Sequence, residues 1–150
     1  MNKKVLWGLG ILVIVVTGFL FLTKNPTGNA VRAELIDEGD YVKIPLSGIS
    51  KTAEFYNFKG IEFFVVESKE GLVKTAFNAC DVCYRSKKGY RQEGDDMICN
   101  NCGNHYAISG LGTQNLRGGG CWPGFLRSSI DGEYLIIKKT DLENGRYRFQ

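Results

Sequence analysis

Apolar and polar positions along this chain fall into two regimes. From Val5 to Leu22 it runs 18 positions without a charge, preceded by Asn2-Lys3-Lys4 and closed by Thr23-Lys24. At about 1.5 Å per residue the run spans roughly 27 Å, close to the thickness of a bilayer's hydrocarbon core. It is apolar all round and shows no amphipathic stripe, unlike a helix lying on a soluble core. A secretory apolar region is usually only about 7–15 residues long and is followed closely by a small-x-small cleavage site. The best candidate here, Gly28-Asn29-Ala30, ends eight residues past the run. The pattern predicts an uncleaved transmembrane signal anchor over residues 1–24 in preference to a cleaved signal peptide. Lys3 and Lys4 would stay in the cytoplasm and the rest would face outward.

After a linker over 25–33, carrying Asn25-Pro26-Thr27-Gly28-Asn29, the pattern changes to short strands filling one domain over 34–150. Val42, Ile44 and Leu46 alternate within Tyr41 to Leu46, and Pro45, which cannot donate to a ladder, marks that strand as an edge. Ala53 to Phe58 turns at Lys59-Gly60 into Ile61 to Glu67, where Phe63, Phe64, Val65 and Val66 follow one another. Glu70-Gly71 leads into Leu72 to Asn78. Asp131-Gly132 signals a hairpin before Tyr134 to Lys138, and Asn144-Gly145 signals another before a strand from Arg146 to Phe149. Beyond the anchor no segment carries a helical period, apart from one turn at Thr140 to Glu143. The predicted class is mainly β, with a small α+β fold as the variant: a short-strand meander carrying a cysteine insertion over 79–123. That insertion is poor in secondary-structure signals and needs a tether to stay ordered.

Composition narrows the function. The chain is 43% hydrophobic and 23% charged, which excludes a disordered or low-complexity protein. Its net charge of +3 comes entirely from Lys3, Lys4 and Lys24, and the remainder is balanced without a basic stripe, so nothing supports nucleic-acid binding.

All five cysteines lie between positions 80 and 121. Cys80-Asp81-Val82-Cys83 and Cys99-Asn100-Asn101-Cys102 are separated by 15 residues, a spacing typical of metal sites. Two thiolates three positions apart can grip a tetrahedral ion from one tight turn, at about 2.3 Å for zinc, and a second turn completes the coordination. Gly103 after the second pair suits such a turn, while Tyr84 after the first departs from that form. On the outer face of a membrane free thiols tend to oxidise, so metal ligation is favoured, with two disulfides as the competing reading. A thiol–disulfide enzyme lacks its βαβ context, and covalent haem lacks the histidine after Cys-x-x-Cys. Zinc, a single iron and an iron–sulfur cluster all accept sulfur donors.

Arg85, Lys87, Lys88 and Arg91 place four cations in seven residues between the pairs. They either offset thiolate charge or form an ordinary solvated loop, since Glu93, Asp95 and Asp96 follow at once. Cys121, in Gly118-Gly119-Gly120-Cys121-Trp122-Pro123, is a further ligand, a neighbour of the ligands, or a small buried apolar residue. His105 can replace a ligand or donate to a sulfur, and a surface or core role is the plainer reading.

These elements carry a resemblance. Ala76-Phe77-Asn78-Ala79-Cys80-Asp81-Val82-Cys83-Tyr84, Lys88-Gly89-Tyr90-Arg91-Gln92-Glu93-Gly94, Met97-Ile98-Cys99-Asn100-Asn101-Cys102-Gly103 and the Gly-Gly-Cys-x-Pro element at Gly119 to Pro123 resemble the FtrD-like membrane iron-sulfur containing proteins. Trp122 stands where that family usually has Asn. The resemblance also takes in Tyr56 and the Phe63–Val66 run. It implies a cell-membrane setting, an iron–sulfur or related iron centre on Cys80, Cys83, Cys99 and Cys102, with Cys121 as a further family position, and a link to iron uptake and electron transfer. Some relatives carry many transmembrane helices, so a permease role would belong to a membrane redox or iron-transport partner. No catalytic acid, base or nucleophile is identified, and a redox carrier is expected before an enzyme. The alternative is a structural zinc knuckle that builds a binding surface for a membrane partner.

Overall fold

The computed structural model describes residues 34–114 and 120–150. The predicted anchor and linker lie outside the described residues, as do Gly118 and Gly119. Among the described residues no helix is long and apolar enough to cross a membrane.

Among the described residues the domain is mainly β, with three antiparallel sheets and one short helix. The first sheet orders β1 (Ile36–Glu38), β2 (Tyr41–Pro45), β11 (Tyr134–Lys138) and β10 (Ser129–Asp131). The second orders β3 (Glu54–Phe58), β4 (Ile61–Glu67), β5 (Val73–Cys80) and β9 (Pro123–Phe125). The third holds β6 (Tyr90–Glu93), β7 (Asp96–Cys99) and β8 (His105–Ala107). Helix α1 (Lys139–Gly145) follows β11.

The middle sheet explains the run of apolar residues in β4. Ile61, Phe63 and Val65 join a buried cluster with Val42, Ile44, Leu135 and Ile137 of the first sheet. Phe64 and Val66 point the other way, into a second cluster with Tyr90, Met97, Cys80, Cys99 and Cys121. A strand covered on both faces has no polar side, so its sequence reads as a continuous apolar run. Burying each large side chain contributes roughly 1.5–3 kcal/mol, which makes both faces of this strand matter to stability.

Four expectations are corrected. β2 is an inner strand, paired with β1 and with β11. Pro45 fits because β1 begins opposite Lys43, so the missing N–H falls where that neighbour has run out. The stretch 79–123 is not bare: β6 to β8 form a sheet there with a core of Tyr90, Met97, Ile98 and Ile108. Asn144-Gly145 closes a helix instead of a hairpin, and Arg146–Phe149 is a 3-10 turn instead of a strand. That helix is too short to show a period, and Leu142 is its only large buried side chain.

Candidate metal centre

The cysteines converge from three places. Cys80 ends β5, Cys99 ends β7, and Cys121 precedes β9, whose pairing sets Pro123 opposite Cys80. The register of β5 with β9 shifts between Ala76 and Cys80, so the ladder is irregular where the chain delivers its sulfurs. All five cysteines are free thiols.

The first pair folds as a knuckle. The Cys80 sulfur accepts the backbone N–H of Val82 at 3.3 Å and of Cys83 at 2.5 Å. Tyr84 does not prevent this turn; its ring packs edge-on against Tyr147, 5.7 Å away. Arg148 donates to Asp81 at 2.8 Å, so the C-terminal turn pins the knuckle from outside. The Asp81 N–H donates to the Trp122 carbonyl at 3.0 Å, which ties the knuckle to the Cys121 segment.

The second turn closes with Gly103 N–H donating to the Cys99 carbonyl at 2.9 Å, at a φ of +74°. Asn78 of β5 accepts the Tyr90 N–H at 2.7 Å and so joins the middle sheet to the third. The space this needs is left by Gly89, where a Cβ would stand 2.6 Å from the Asn78 amide.

The Sγ atoms of Cys80, Cys83, Cys99 and Cys121 all lie within 4.8 Å of one another. The Cys83 and Cys121 sulfurs are 2.9 Å apart. Three of the four residues read as ligands from the two pairs are thus brought together with Cys121. Cys102 lies outside that group and is exposed. His105 also stands apart, its Nδ1 3.2 Å from Asp96 on the third sheet.

Burial raises the Cys80 and Cys121 thiols above their ordinary range, whereas hydrogen bonds from Cys121 and then Asn101 hold Cys83 below it. Burial thus favours the neutral thiol at Cys80 and Cys121, and four thiolates this close would repel one another and call for a positive centre. The Tyr90 hydroxyl donates to the Cys121 carbonyl at 2.9 Å from a buried position.

The family model described as membrane iron-sulfur containing protein FtrD-like matches residues 48–149. The chain belongs to the FtrD-like family. A search of curated proteins found no match. The FtrD-like match takes in all five cysteines and both strands that frame them, β5 and β9. Its description names an iron–sulfur centre, and the thiol donors suit iron. The four sulfurs lie close enough together to surround one metal centre.

Sequence reasoning missed Tyr90, Asn78, Asp81 and Arg148 as parts of the site. Asn78 and Arg148 act across 12 and 67 positions of chain, and only the folded strands bring them to the cysteines.

Proposed function

We propose that this protein is a membrane-anchored electron carrier in which cysteine-ligated iron exchanges single electrons at the outer face of a membrane, in the service of iron uptake. The observation that carries this reading is the four-sulfur group of Cys80, Cys83, Cys99 and Cys121, gathered within 4.8 Å. Membership of a family described as membrane iron-sulfur proteins supports both the metal and the setting. The uncharged run from Val5 to Leu22 supports the anchor. Bound there, iron would supply a one-electron couple tuned by its thiolates and their hydrogen bonds. The protein's own groups do the rest. The N–H groups of Val82 and Cys83 stabilise charge on the Cys80 sulfur, Tyr90 holds the Cys121 backbone, and the second apolar cluster keeps water from Cys80, Cys99 and Cys121.

Metal and sulfide analysis of the anaerobically purified full chain tests the reading. Iron is expected, with a visible band that bleaches reversibly on reduction, and the content of acid-labile sulfide distinguishes an iron–sulfur cluster from a single ion. A colourless protein with one zinc would overturn the electron-transfer role in favour of a structural knuckle.

A further inference from the structure

Electron exchange needs a partner to come close, and the fold distributes charge unevenly around the sulfurs. Arg85, Lys87 and Lys88 are exposed beside the first knuckle, and among the described residues they form no ion pair. Lys87 and Lys88 line a cavity of about 140 Å³ whose wall also includes Cys80, Cys83 and Cys99. The acids that follow in sequence are carried away by the β6–β7 hairpin. Tyr90 pairs with Cys99 at the sulfur end, whereas Glu93 pairs with Asp96 at the far end. Three strand steps separate these ends by roughly 10 Å, about a Debye length at physiological salt. Arg91 spends its charge on Glu93, and Asp96 faces His105. Close to the sulfurs, Asp81 is paired with Arg148, and on the cavity wall Glu62 is hydrogen-bonded by Asn78.

Apolar side chains are exposed on this knuckle and on the segments bonded to it or packed against it. Val82, between the two cysteines of the first pair, is 57% exposed; Tyr147, against Tyr84, is 50% exposed; and Trp122, bonded through its carbonyl to Asp81, is 39% exposed. An exposed apolar tip flanked by unpaired cations is the make-up of a transient protein interface, in which the charges steer the encounter. We infer that this face docks an acidic redox protein, which exchanges electrons with the centre across the Cys80–Cys83 knuckle. The inference rests on the redox reading above and adds the chemistry of the partner. A free anionic chelate is a poorer occupant, since the cavity is small and the exposed apolar groups lie outside it.

The test uses the full chain, metal-loaded, in neutral lipid nanodiscs, with stopped-flow electron exchange against two probes: an acidic flavodoxin and a basic cytochrome c. Flavodoxin exchange should be fast at low salt and slow as salt rises. The Arg85→Glu/Lys88→Glu variant, with an unchanged absorption spectrum, should slow it at least about 10-fold at low salt and close the gap at high salt. Cytochrome c should show the opposite response, and Asp95→Lys at the far end of the hairpin should change neither. Equal rates with both probes, insensitive to salt and to the charge swap, would overturn the docking face while leaving the redox centre intact. Exchange with neither probe would overturn the redox reading itself. Flavodoxin exchange that is lost in anionic nanodiscs for the native chain alone would assign the cations to lipid headgroups and overturn the inference.

Discussion

Tyr90→Phe isolates one bond at the metal centre. The Tyr90 ring is buried between Phe64 and Tyr106, with centroids 6.3 Å from each, and Phe preserves that packing. What is lost is the hydroxyl that donates to the Cys121 carbonyl at 2.9 Å. Burial raises the Tyr90 pKa, so the donor keeps its proton at any working pH and the deficit should not vary with pH. Leaving a buried carbonyl without its donor costs about 1–3 kcal/mol. For a domain of this size that is a fall in melting temperature of roughly 4–12 °C, at about 4 °C per kcal/mol. If the strain appears in metal binding instead of global unfolding, the same energy weakens affinity about 5- to 140-fold. Urea melts of metal-loaded protein and chelator competition read the two terms, with Tyr134→Phe on the exposed side of β11 as the control. A combined loss below about 0.5 kcal/mol, the range of a surface substitution, would refute the claim that this bond holds the Cys121 segment.

The remaining expectations concern ligands, packing and topology. Cys121→Ser should weaken metal binding more than 100-fold, beyond the 10–100-fold typical of groups that only orient a ligand, while Cys102→Ser keeps the metal; the reverse order in a chelator titration would restore the two-pair ligand set. Gly145→Ala should cost at least about 1–3 kcal/mol in urea melts, because its Cβ would fall 2.1 Å from the Phe77 ring; an unchanged midpoint would contradict this packing. Cys99→Ala should release the metal and let trypsin cut after Arg85, Lys87 or Lys88 while Arg91, inside β6, stays protected; cleavage at Arg91 just as fast would mean that the third sheet also needs the metal. Mass spectrometry of the mature protein should find the N-terminal segment intact, and a chain starting near Val31 would exclude an uncleaved anchor.

Strands β4 and β11 were legible from the sequence because alternation or unbroken apolar runs leave a local record. β5 was legible up to Asn78, and its extension to Cys80 was hidden by the motif that begins there. The third sheet escaped notice because its strands are three or four residues long and mix charges with apolar positions, as in Tyr90-Arg91-Gln92-Glu93. The C-terminal Asn144-Gly145 resembles a hairpin signal, but it closes a helix in which Gly145 lies against Phe77, a contact across 68 positions. For the site, spacing identified the metal-binding character of the two pairs. The approach of Cys121 to the pairs has no local signature, because it depends on β9 pairing with β5.

The middle sheet also determines how stability and chemistry are coupled. Its two faces belong to different clusters, one purely structural and one holding Cys80, Cys99 and Cys121. Most substitutions in the first cluster should therefore lower stability without disturbing the sulfurs. β5 is the exception. Phe77 faces the structural cluster, while its neighbours Ala76, Asn78 and Cys80 serve the other side, through the core, the Tyr90 N–H and the metal group respectively. Displacing Phe77 by overfilling Gly145 therefore shifts the backbone that aims Cys80. In metal-loaded protein Gly145→Ala should alter the visible spectrum or potential as well as the melting point, whereas Leu135→Ala, in the same structural cluster but on β11, should lower the melting point alone. Equal spectral effects from both would mean that the two faces are not separable, and that the sulfur group depends on the whole core instead of on the strand that carries it.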